Sequence, residues 1–414
     1  MRGSAYPCRV SVYLDHAATT PVRPAAVDVW RVVTLAGANP SSLHGPGRSA
    51  RRVLEESRET LARALGVGPS EVVMTAGGTE ADNLGVKGLF AARRRQDPRR
   101  TRVLASPLEH HAVLDCVEWL EAEQGAQVVW LPVDERGTVD VAATRVLLAH
   151  DPDGIALLTC MWANNEVGTV QPVAELVEVA HAHGVPVHVD AVQAVGWLPA
   201  TAGSLGADTV AISGHKLGAP VGSGALLVRR GVALEAVVHG GGQERGVRSG
   251  TVDTAAAAAL AVAVAEAVAE QPEQAPRVAA LRDRLAAGLA ALDPTAVLRG
   301  ADPAVALDRP GARLPGNLHV TFTGCEGDSL LYLFDHEGIA VSTGSACRAG
   351  VPEPSHVLFA MGVGEVEARG ALRFSFGRTS TDADVDRVLE VLPRVLRRAR
   401  AAAARVAGVV RVAS

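Results

Sequence analysis

Lysine is almost absent from this 414-residue sequence: among its 40 basic residues, only Lys87 and Lys216 are lysines and all the others are arginines. An amine that is kept in such a chain indicates chemistry that a guanidinium does not perform. Arginine stays protonated, whereas a desolvated lysine loses its proton and attacks a carbonyl to form a Schiff base. Lys216 is therefore a candidate nucleophile, and the alternative is a surface lysine that happened to persist.

Cysteine is also scarce. The five cysteines are scattered without a CxxC pair or a metal-ligand spacing, at Cys8, Cys116, Cys160, Cys325 and Cys347. An odd number of scattered thiols argues against a disulfide framework, and their spacing predicts no metal site. Four of them are predicted to be structural, namely Cys8, Cys116, Cys160 and Cys325, and Cys116 and Cys160 fit helix or strand patterns. The surroundings of Cys325 (TGCEG) are nevertheless typical of an exposed residue, so some reactivity of this thiol stays open.

Neither charge nor hydropathy indicates a nucleic-acid or membrane partner. The net charge is −5, and the 48% hydrophobic and 21% charged residues are ordinary for a globular protein. We expect no apolar run long enough to span a bilayer, and residues 1–10 lack the apolar core of a signal peptide, so the cytoplasm is the expected location. The basic residues 397–405 are interpreted as the end of a terminal helix.

Two apolar stretches end in residues that suit one cofactor. Residues 209–213 (TVAIS) form a strand that enters Gly-His-Lys216, and residues 185–190 (VPVHVD) form a strand that ends at Asp190. The interval leaves room for one crossover between neighbouring parallel strands, whose ends converge on one crevice. Lysine and aspartate there fit pyridoxal phosphate, which needs a Schiff-base amine and an acid beside its ring nitrogen. Asp190 alone fits a helix cap or salt bridge equally well.

A glycine turn between a strand and a helix predicts an anion site. Residues 71–75 (EVVMT) form the strand, and a helix follows Ala-Gly-Gly78-Thr79-Glu. The free N–H groups and the dipole of a helix N-terminus attract anions, and the Thr79 hydroxyl adds a donor. This arrangement suits the cofactor phosphate, and the alternative is a plain turn.

One thiol lies in a stretch unlike a protein core. Residues 342–354 (STGSACRAGVPEP) are small and polar, with Cys347 in the middle and Arg348 beside it. A neighbouring cation favours the thiolate, and a flexible loop suits a nucleophile that must reach a site and then leave it. The alternative is an inert exposed cysteine.

Strands that alternate with helices predict an α/β fold. The pattern favours a mostly parallel sheet covered by helices, with residues 224–228 (GALLV) as an antiparallel mate of the lysine strand. We assign residues 15–265 to a large domain. Residues 1–14 and 266–414 are assigned to a smaller α+β domain that carries the loop at 342–354. A helix break is expected at Pro272–Pro276.

Motifs along nearly the whole chain match one family. In order they are YLDHAATTP, AGGTEADN, EHHAVL, NNEVG, HVDAVQAVG, SGHKLGAP, GGGQERGVRSGT, STGSAC and LRFSFGR. With them the chain, from about residue 12 to 396, resembles the cysteine desulfurases of the NifS/IscS type. These belong to the class V aminotransferase group of fold-type I pyridoxal-phosphate enzymes. The sequence departs from many members after Lys216. Many members have an aromatic residue or a second lysine in this stretch, whereas this chain has Leu-Gly-Ala-Pro-Val.

The resemblance implies a role for each matching residue. Lys216 would carry pyridoxal 5'-phosphate as an aldimine, and His110 would stack on the ring, although the adjacent His111 fits the residues equally well without the family register. The other residues expected at the cofactor are Gly78, Thr79, Asn165, Asp190, Gln193, Ser213, His215 and Thr251. Thr251 would reach the phosphate from a neighbouring subunit, which implies a homodimer.

The resemblance also implies substrate and product. Asn165 and Arg373 would bind the carboxylate of L-cysteine, since the arginine fork is bidentate; from the residue alone, Arg373 fits an ordinary ion pair better. Cys347 would take the sulfur as a persulfide and leave L-alanine. The sulfur would pass to a protein acceptor that serves iron–sulfur cluster assembly, tRNA thiolation or another transfer.

Other interpretations remain open at this point. A selenocysteine lyase, or another class V pyridoxal-phosphate enzyme, would share most of these residues, although Cys347 disfavours those that need no thiol. A non-catalytic sulfur-relay component that kept the fold is disfavoured by the intact set of Lys216, Asp190, His110 and Cys347.

Overall fold

A computed structural model describes residues 12–309, 311–344 and 354–413, with side chains described up to residue 405. Its strands are β1 (Val12–Tyr13), β2 (Val72–Thr75), β3 (Arg102–Ala105), β4 (Gln127–Trp130), β5 (Ile155–Thr159), β6 (Val187–Asp190), β7 (Thr209–Ser213), β8 (Gly224–Val228), β9 (Ala296–Arg299), β10 (Asn317–Phe322), β11 (Ile339–Ala340) and β12 (Ala371–Ser375). Its helices are α1 (Pro24–Ala36), α2 (Gly45–Leu65), α3 (Gly78–Gln96), α4 (His111–Gln124), α5 (Val141–His150), α6 (Val173–Ala182), α7 (Thr254–Leu292), α8 (Gly327–His336), α9 (His356–Ala360), α10 (Glu365–Ala368) and α11 (Asp382–Ala413).

The largest sheet has seven strands in the order β2-β8-β7-β6-β5-β3-β4. All neighbours from β7 to β4 run parallel, and β8 is antiparallel to both β7 and β2. Every residue of β6 and β7 is buried, as expected for central strands of a sheet covered on both faces. The predicted α/β fold and the antiparallel position of residues 224–228 are therefore confirmed.

A second group of strands lies outside this sheet. β12, β10 and β9 form an antiparallel sheet, and β1 pairs with β11. An isolated bridge from Asp15 to Ser375 joins the start of the chain to the end of β12. Each strand group has its own buried core, one packed on the seven-stranded sheet and one between β10, β12 and α11.

Helix α7 corrects two predictions. It runs unbroken through Pro272 and Pro276, so the predicted break is wrong. Proline removes one helical hydrogen bond and clashes with the carbonyl four residues earlier. Here the two prolines are four residues apart and exposed, so they lie on the same solvent-facing side of the helix. The lost hydrogen bonds and the clashes are therefore confined to that side. Packing of the buried alanine- and leucine-rich side holds the two halves together.

By length and composition α7 is also apolar enough to cross a membrane, contrary to our expectation. However, 61% of its most apolar window is buried inside the protein. Leu260 and Val264 belong to the core of the large sheet, and Val278 and Leu285 to the core of the small sheet. The apolar character of α7 is thus explained by its position as a helix shared by two cores.

Candidate functional site

A cavity of about 670 Å³ opens where β6 and β7 end, beside the N-termini of α3 and α4. Residues from the small sheet close its other side, so the site depends on both strand groups. Ten of the predicted site residues line this cavity, namely Gly78, Thr79, His110, Asn165, Asp190, Gln193, Ser213, His215, Lys216 and Arg373.

Lys216 follows β7 in a short 3-10 turn, Gly214–Lys216. Its Nζ donates hydrogen bonds to the carbonyl oxygens of Ala17 at 2.6 Å and Ala18 at 2.7 Å. Burial, and secondarily the positive charge of Arg373, lowers the pKa of Lys216 to about 8. A larger fraction of this amine than of an ordinary lysine is therefore unprotonated near neutral pH, and the unprotonated form is the Schiff-base nucleophile.

Asp190 is the last residue of β6 and is buried. Its Oδ1 accepts a hydrogen bond from the Val192 N–H at 2.8 Å. Burial, followed by the nearby carboxyl of Asp82, raises the pKa of Asp190 to about 8. Such a carboxyl holds a proton strongly, so it suits a basic ring nitrogen with which it would share that proton. Gln193 lies on the same turn, and its side-chain N–H donates to the Ala17 carbonyl at 2.9 Å.

The opposite end of the cavity is a cradle for an anion. Gly78 is the first residue of α3, where helical N–H groups have no intrahelical acceptor. A Cβ at Gly78 would lie 2.8 Å from the Val192 side chain and 3.2 Å from that of Ser213, so any larger residue would fill the cradle. Burial and the charge of Lys216 lower the pKa of His215 to about 4, which leaves its ring neutral and able to donate one hydrogen bond. Phosphate at the cradle, with Lys216 and Asp190 beyond it, fits pyridoxal phosphate.

His110 is the N-cap of α4, and its Nδ1 accepts from the Ala112 N–H at 3.1 Å. In the neutral ring the proton is therefore on Nε2. The ring is open to the cavity, yet burial of the group and the charge of Lys216 lower the pKa of His110 to about 4. His111 also lines the cavity, with its Nδ1 3.2 Å from Asp115 Oδ1. Both histidines thus remain candidates by position.

Arg373 reaches the cavity from β12 in the small sheet. One terminal N–H group donates to the Asn165 carbonyl at 2.8 Å and the other to Asp15 Oδ1 at 2.9 Å. The residue is only 4% exposed, and its Nε is buried without a partner. Asn165 takes part through its backbone carbonyl, and the residue lines the cavity. Arg373 therefore does form an ion pair, with Asp15, as the alternative interpretation expected. The arginine of this pair is buried and lies at the cavity.

One predicted residue that the structure describes is not brought to the cavity. Thr251 is exposed and does not line it. Cys347, like Cys8, lies outside the described residues, although Ser342 and Gly344 on its N-terminal side do line the cavity. Cys325 is buried, which fits the predicted structural thiol, but the exposure that its surroundings indicated is wrong.

The thiols that the structure describes have the character of core residues. Cys116 and Cys160 are buried as expected, and Cys325 joins the core of the small sheet. Burial raises the pKa of all three thiols, to about 12 for Cys116. None of them is therefore suited to act as a nucleophile. In the part of the chain that the structure describes, no three acidic, histidine or cysteine residues are arranged to hold a metal ion.

Sequence analysis missed three residues that line the cavity or support its wall. Glu166 is buried, and its Oε2 accepts a hydrogen bond from the Ser355 hydroxyl at 2.5 Å. His356 donates from Nε2 to the Glu109 carbonyl at 3.0 Å. Glu166 follows Asn165 directly and could have been found from that motif, whereas nothing local indicates Ser355 or His356.

Comparisons with known proteins agree with this geometry. The model of the family "Aminotransferase class-V" matches residues 12–388. An "IscS-like cysteine desulfurase" of Mycobacterium tuberculosis is 53% identical over 96% of this chain and 99% of its own length. A solved "NIFS-LIKE PROTEIN" superposes with a TM-score of 0.83 at 35% identity, over 93% of this chain and 99% of its own. A structure described as "SspA in complex with cysteine" gives a TM-score of 0.74 at 32% identity, over 88% and 99%.

Proposed function

Because this chain belongs to the cysteine desulfurases of the aminotransferase class V family, we propose that it removes sulfur from L-cysteine with pyridoxal phosphate and holds it as a persulfide on Cys347. L-Alanine is the other product. The observation that carries the proposal is Lys216 itself. It is one of two lysines in the chain, its pKa is lowered to about 8, and it lies in one cavity with Asp190 and Arg373.

Different residues of the cavity would bind the phosphate and the ring of the cofactor. The N-terminus of α3 with Gly78 and Thr79, together with Ser213 and His215, would hold the phosphate. Other groups would contact the ring: Asp190 at its nitrogen, Gln193 at its oxygen, His110 on its face and the Asn165 side chain at its edge. When bound, the cofactor would withdraw electrons from the substrate Cα so that the Cα proton can leave.

The protein side chains would bind the substrate and move its protons. The Arg373 guanidinium would bind the carboxylate of L-cysteine, since Arg373 lines the cavity and an arginine fork suits a carboxylate. The amine of Lys216, once free, would take the Cα proton. His110, with its neutral ring open to the cavity, would exchange a proton with the substrate near the face of the cofactor.

Sulfur transfer needs the thiolate of Cys347. Its sulfur would attack the sulfur of the substrate, so that an S–S bond forms and the Cβ–S bond breaks. The electron pair of the broken bond stays on the substrate, which takes up protons and leaves as L-alanine. An acceptor thiol then receives the outer sulfur. A neighbouring Arg348 would favour the thiolate form.

The remaining expectations belong to the same proposal. A second copy of the chain would supply Thr251 to the phosphate, which fits its absence from the cavity of one chain. The acceptor would be a protein of iron–sulfur cluster assembly, of tRNA thiolation or of another sulfur transfer, and the reaction would take place in the cytoplasm. Residues 15–265 would form the large domain, and 1–14 with 266–414 the small one.

The test measures L-alanine and sulfide formed from L-cysteine and a reductant. The wild type should form both in equal amounts, and Cys347→Ser should form neither. Cys325→Ala, at a buried thiol, is the matched control and should keep the activity. If Cys347→Ser is as active as the wild type, the persulfide assignment is wrong and a thiol-independent lyase is the better interpretation. Turnover of selenocysteine alone would instead indicate a selenocysteine lyase.

A further inference from the structure

One short loop contacts both cations of the cavity. The loop that follows β1 presents Asp15 to Arg373, with 2.9 Å between Oδ1 and the guanidinium. The carbonyl groups of Ala17 and Ala18 in the same loop accept the hydrogen bonds of Lys216. Of these loop groups, Asp15 is the one that carries charge, and none of the roles assigned above includes it.

Asp15 is the carboxylate that neutralises Arg373 among the described residues. The Arg373 side chain is 5% exposed and that of Asp15 is 23% exposed. A guanidinium this deeply buried is costly without a counter-charge, because desolvation is not repaid. The other terminal nitrogen of Arg373 contacts a carbonyl oxygen, which brings no net charge. The arginine that would bind the substrate carboxylate is therefore already paired with a carboxylate of the protein.

An amino-acid substrate must share the guanidinium with that carboxylate. The substrate approaches Arg373 from the cavity, which this residue lines. Two carboxylates on one guanidinium repel each other, and the repulsion is strong where water is scarce. Substrate and product carry the same carboxylate, so the repulsion weakens the binding of both. A tight grip on a carboxylate that stays unchanged during the reaction would not accelerate the chemical step. It would, however, delay release of the product.

We propose that Asp15 is a positioning residue that orients Arg373 and, as a built-in competitor, keeps the affinity of the site for amino-acid carboxylates low. This inference rests on the proposed function only in that Arg373 is the carboxylate site. It does not depend on Cys347 or on the fate of the sulfur.

The test compares wild-type holoenzyme with Asp15→Asn, whose amide keeps the shape and one acceptor oxygen but loses the charge. L-Alanine is titrated and followed through the absorbance of the bound cofactor, which requires no turnover. We expect L-alanine to bind about 5-fold more tightly to Asp15→Asn, as the loss of one nearby charge implies. L-Alaninamide, which has no carboxylate, should bind equally to both proteins.

Further variants separate the effect of the Asp15 charge from other effects of the substitution. Asp15→Glu retains it and should bind L-alanine no more tightly than the wild type does. The exposed Asp308→Asn is the matched control for a lost surface carboxylate, and Asp15→Ser replaces Asp15→Asn if the latter does not fold. Unchanged or weaker binding of L-alanine by the neutral variants would overturn the proposal, as would equal tightening for L-alaninamide. Lack of sulfide formation from L-cysteine would count against the proposed function instead.

Discussion

Asp82 on α3 and His188 on β6 form a buried pair, with 3.2 Å between Oδ1 and Nε2. The other ring nitrogen of His188 lies 2.9 Å from the Thr209 hydroxyl on β7. His188 precedes Asp190 by two residues on the same strand, so both side chains point to the same face of the sheet. The pair thus connects the helix that begins at the proposed phosphate site to the strand that ends at Asp190.

Gly85→Ala should destabilise the protein through this pair. A Cβ at Gly85 would lie 2.4 Å from His188 Nδ1, inside van der Waals contact with a fully buried ring. Alanine is favoured over glycine in a helix by about 1 kcal/mol. Overpacking of a buried site, however, costs about 1–3 kcal/mol, so the clash should exceed the helix preference. We expect a lower midpoint of thermal unfolding for the cofactor-free protein.

A glycine with free space around it provides the control. A Cβ at Gly45, in the first turn of α2, would meet nothing within 4 Å. Gly45→Ala should therefore unfold at the wild-type temperature or above it. If Gly85→Ala is as stable as Gly45→Ala, then His188 is not held against α3 in the way described here.

The rate of cofactor capture should depend on pH through Lys216. The unprotonated amine is the nucleophile, so capture by the cofactor-free protein should be slow at low pH and rise to a plateau above the pKa of about 8. Burial is the main cause of the lowered pKa, and the charge of Arg373 is the second. Arg373→Gln should therefore move the midpoint to higher pH. Stopped-flow absorbance during addition of pyridoxal phosphate measures both midpoints.

A midpoint near the ordinary lysine value of 10.5 in the wild type would contradict this interpretation of Lys216. A midpoint that moves to lower pH in Arg373→Gln would also contradict it, because the sign of the arginine charge allows only an upward shift.

Asp190→Asn should weaken cofactor binding and reduce turnover by about 100-fold or more, since the preorganised acid at the proposed position of the ring nitrogen is lost. An amide cannot share a proton with the ring nitrogen as the carboxyl would. Dialysis followed by absorbance measures retention of the cofactor, and alanine formation measures turnover. Asp97→Asn is the control, because Asp97 lies at the far end of α3 from the cradle. Equal retention and turnover in both variants would remove Asp190 from the site.

Short sequence patterns were enough to predict those site residues that lie at the end of a strand or the start of a helix. Lys216, Asp190 and Gly78 each lie where a strand ends or a helix begins, and such turns are visible in a few consecutive residues. Asp15 and Arg373 are 358 residues apart, and their pairing follows from the bridge between β12 and the loop after β1. No periodicity contains that information. The continuity of α7 was missed for a similar reason, because packing on two cores overrides the local effect of proline.

The hydrogen bond between Glu166 and Ser355, 189 residues apart, should be measurable as a coupling free energy. Ser355 also caps α9 by accepting from the Leu358 N–H at 3.2 Å. Ser355→Ala should therefore cost about 1 kcal/mol from the lost cap. It should cost a further 1.5–3 kcal/mol or so from the lost hydrogen bond to a buried carboxylate.

Glu166→Gln keeps the size of the side chain but loses its charge. If the bond exists, the double variant should lose at least about 0.5 kcal/mol less in the free energy of unfolding than the sum of the single variants. Denaturant unfolding of all four proteins gives this difference, and strict additivity would show that the two side chains do not interact.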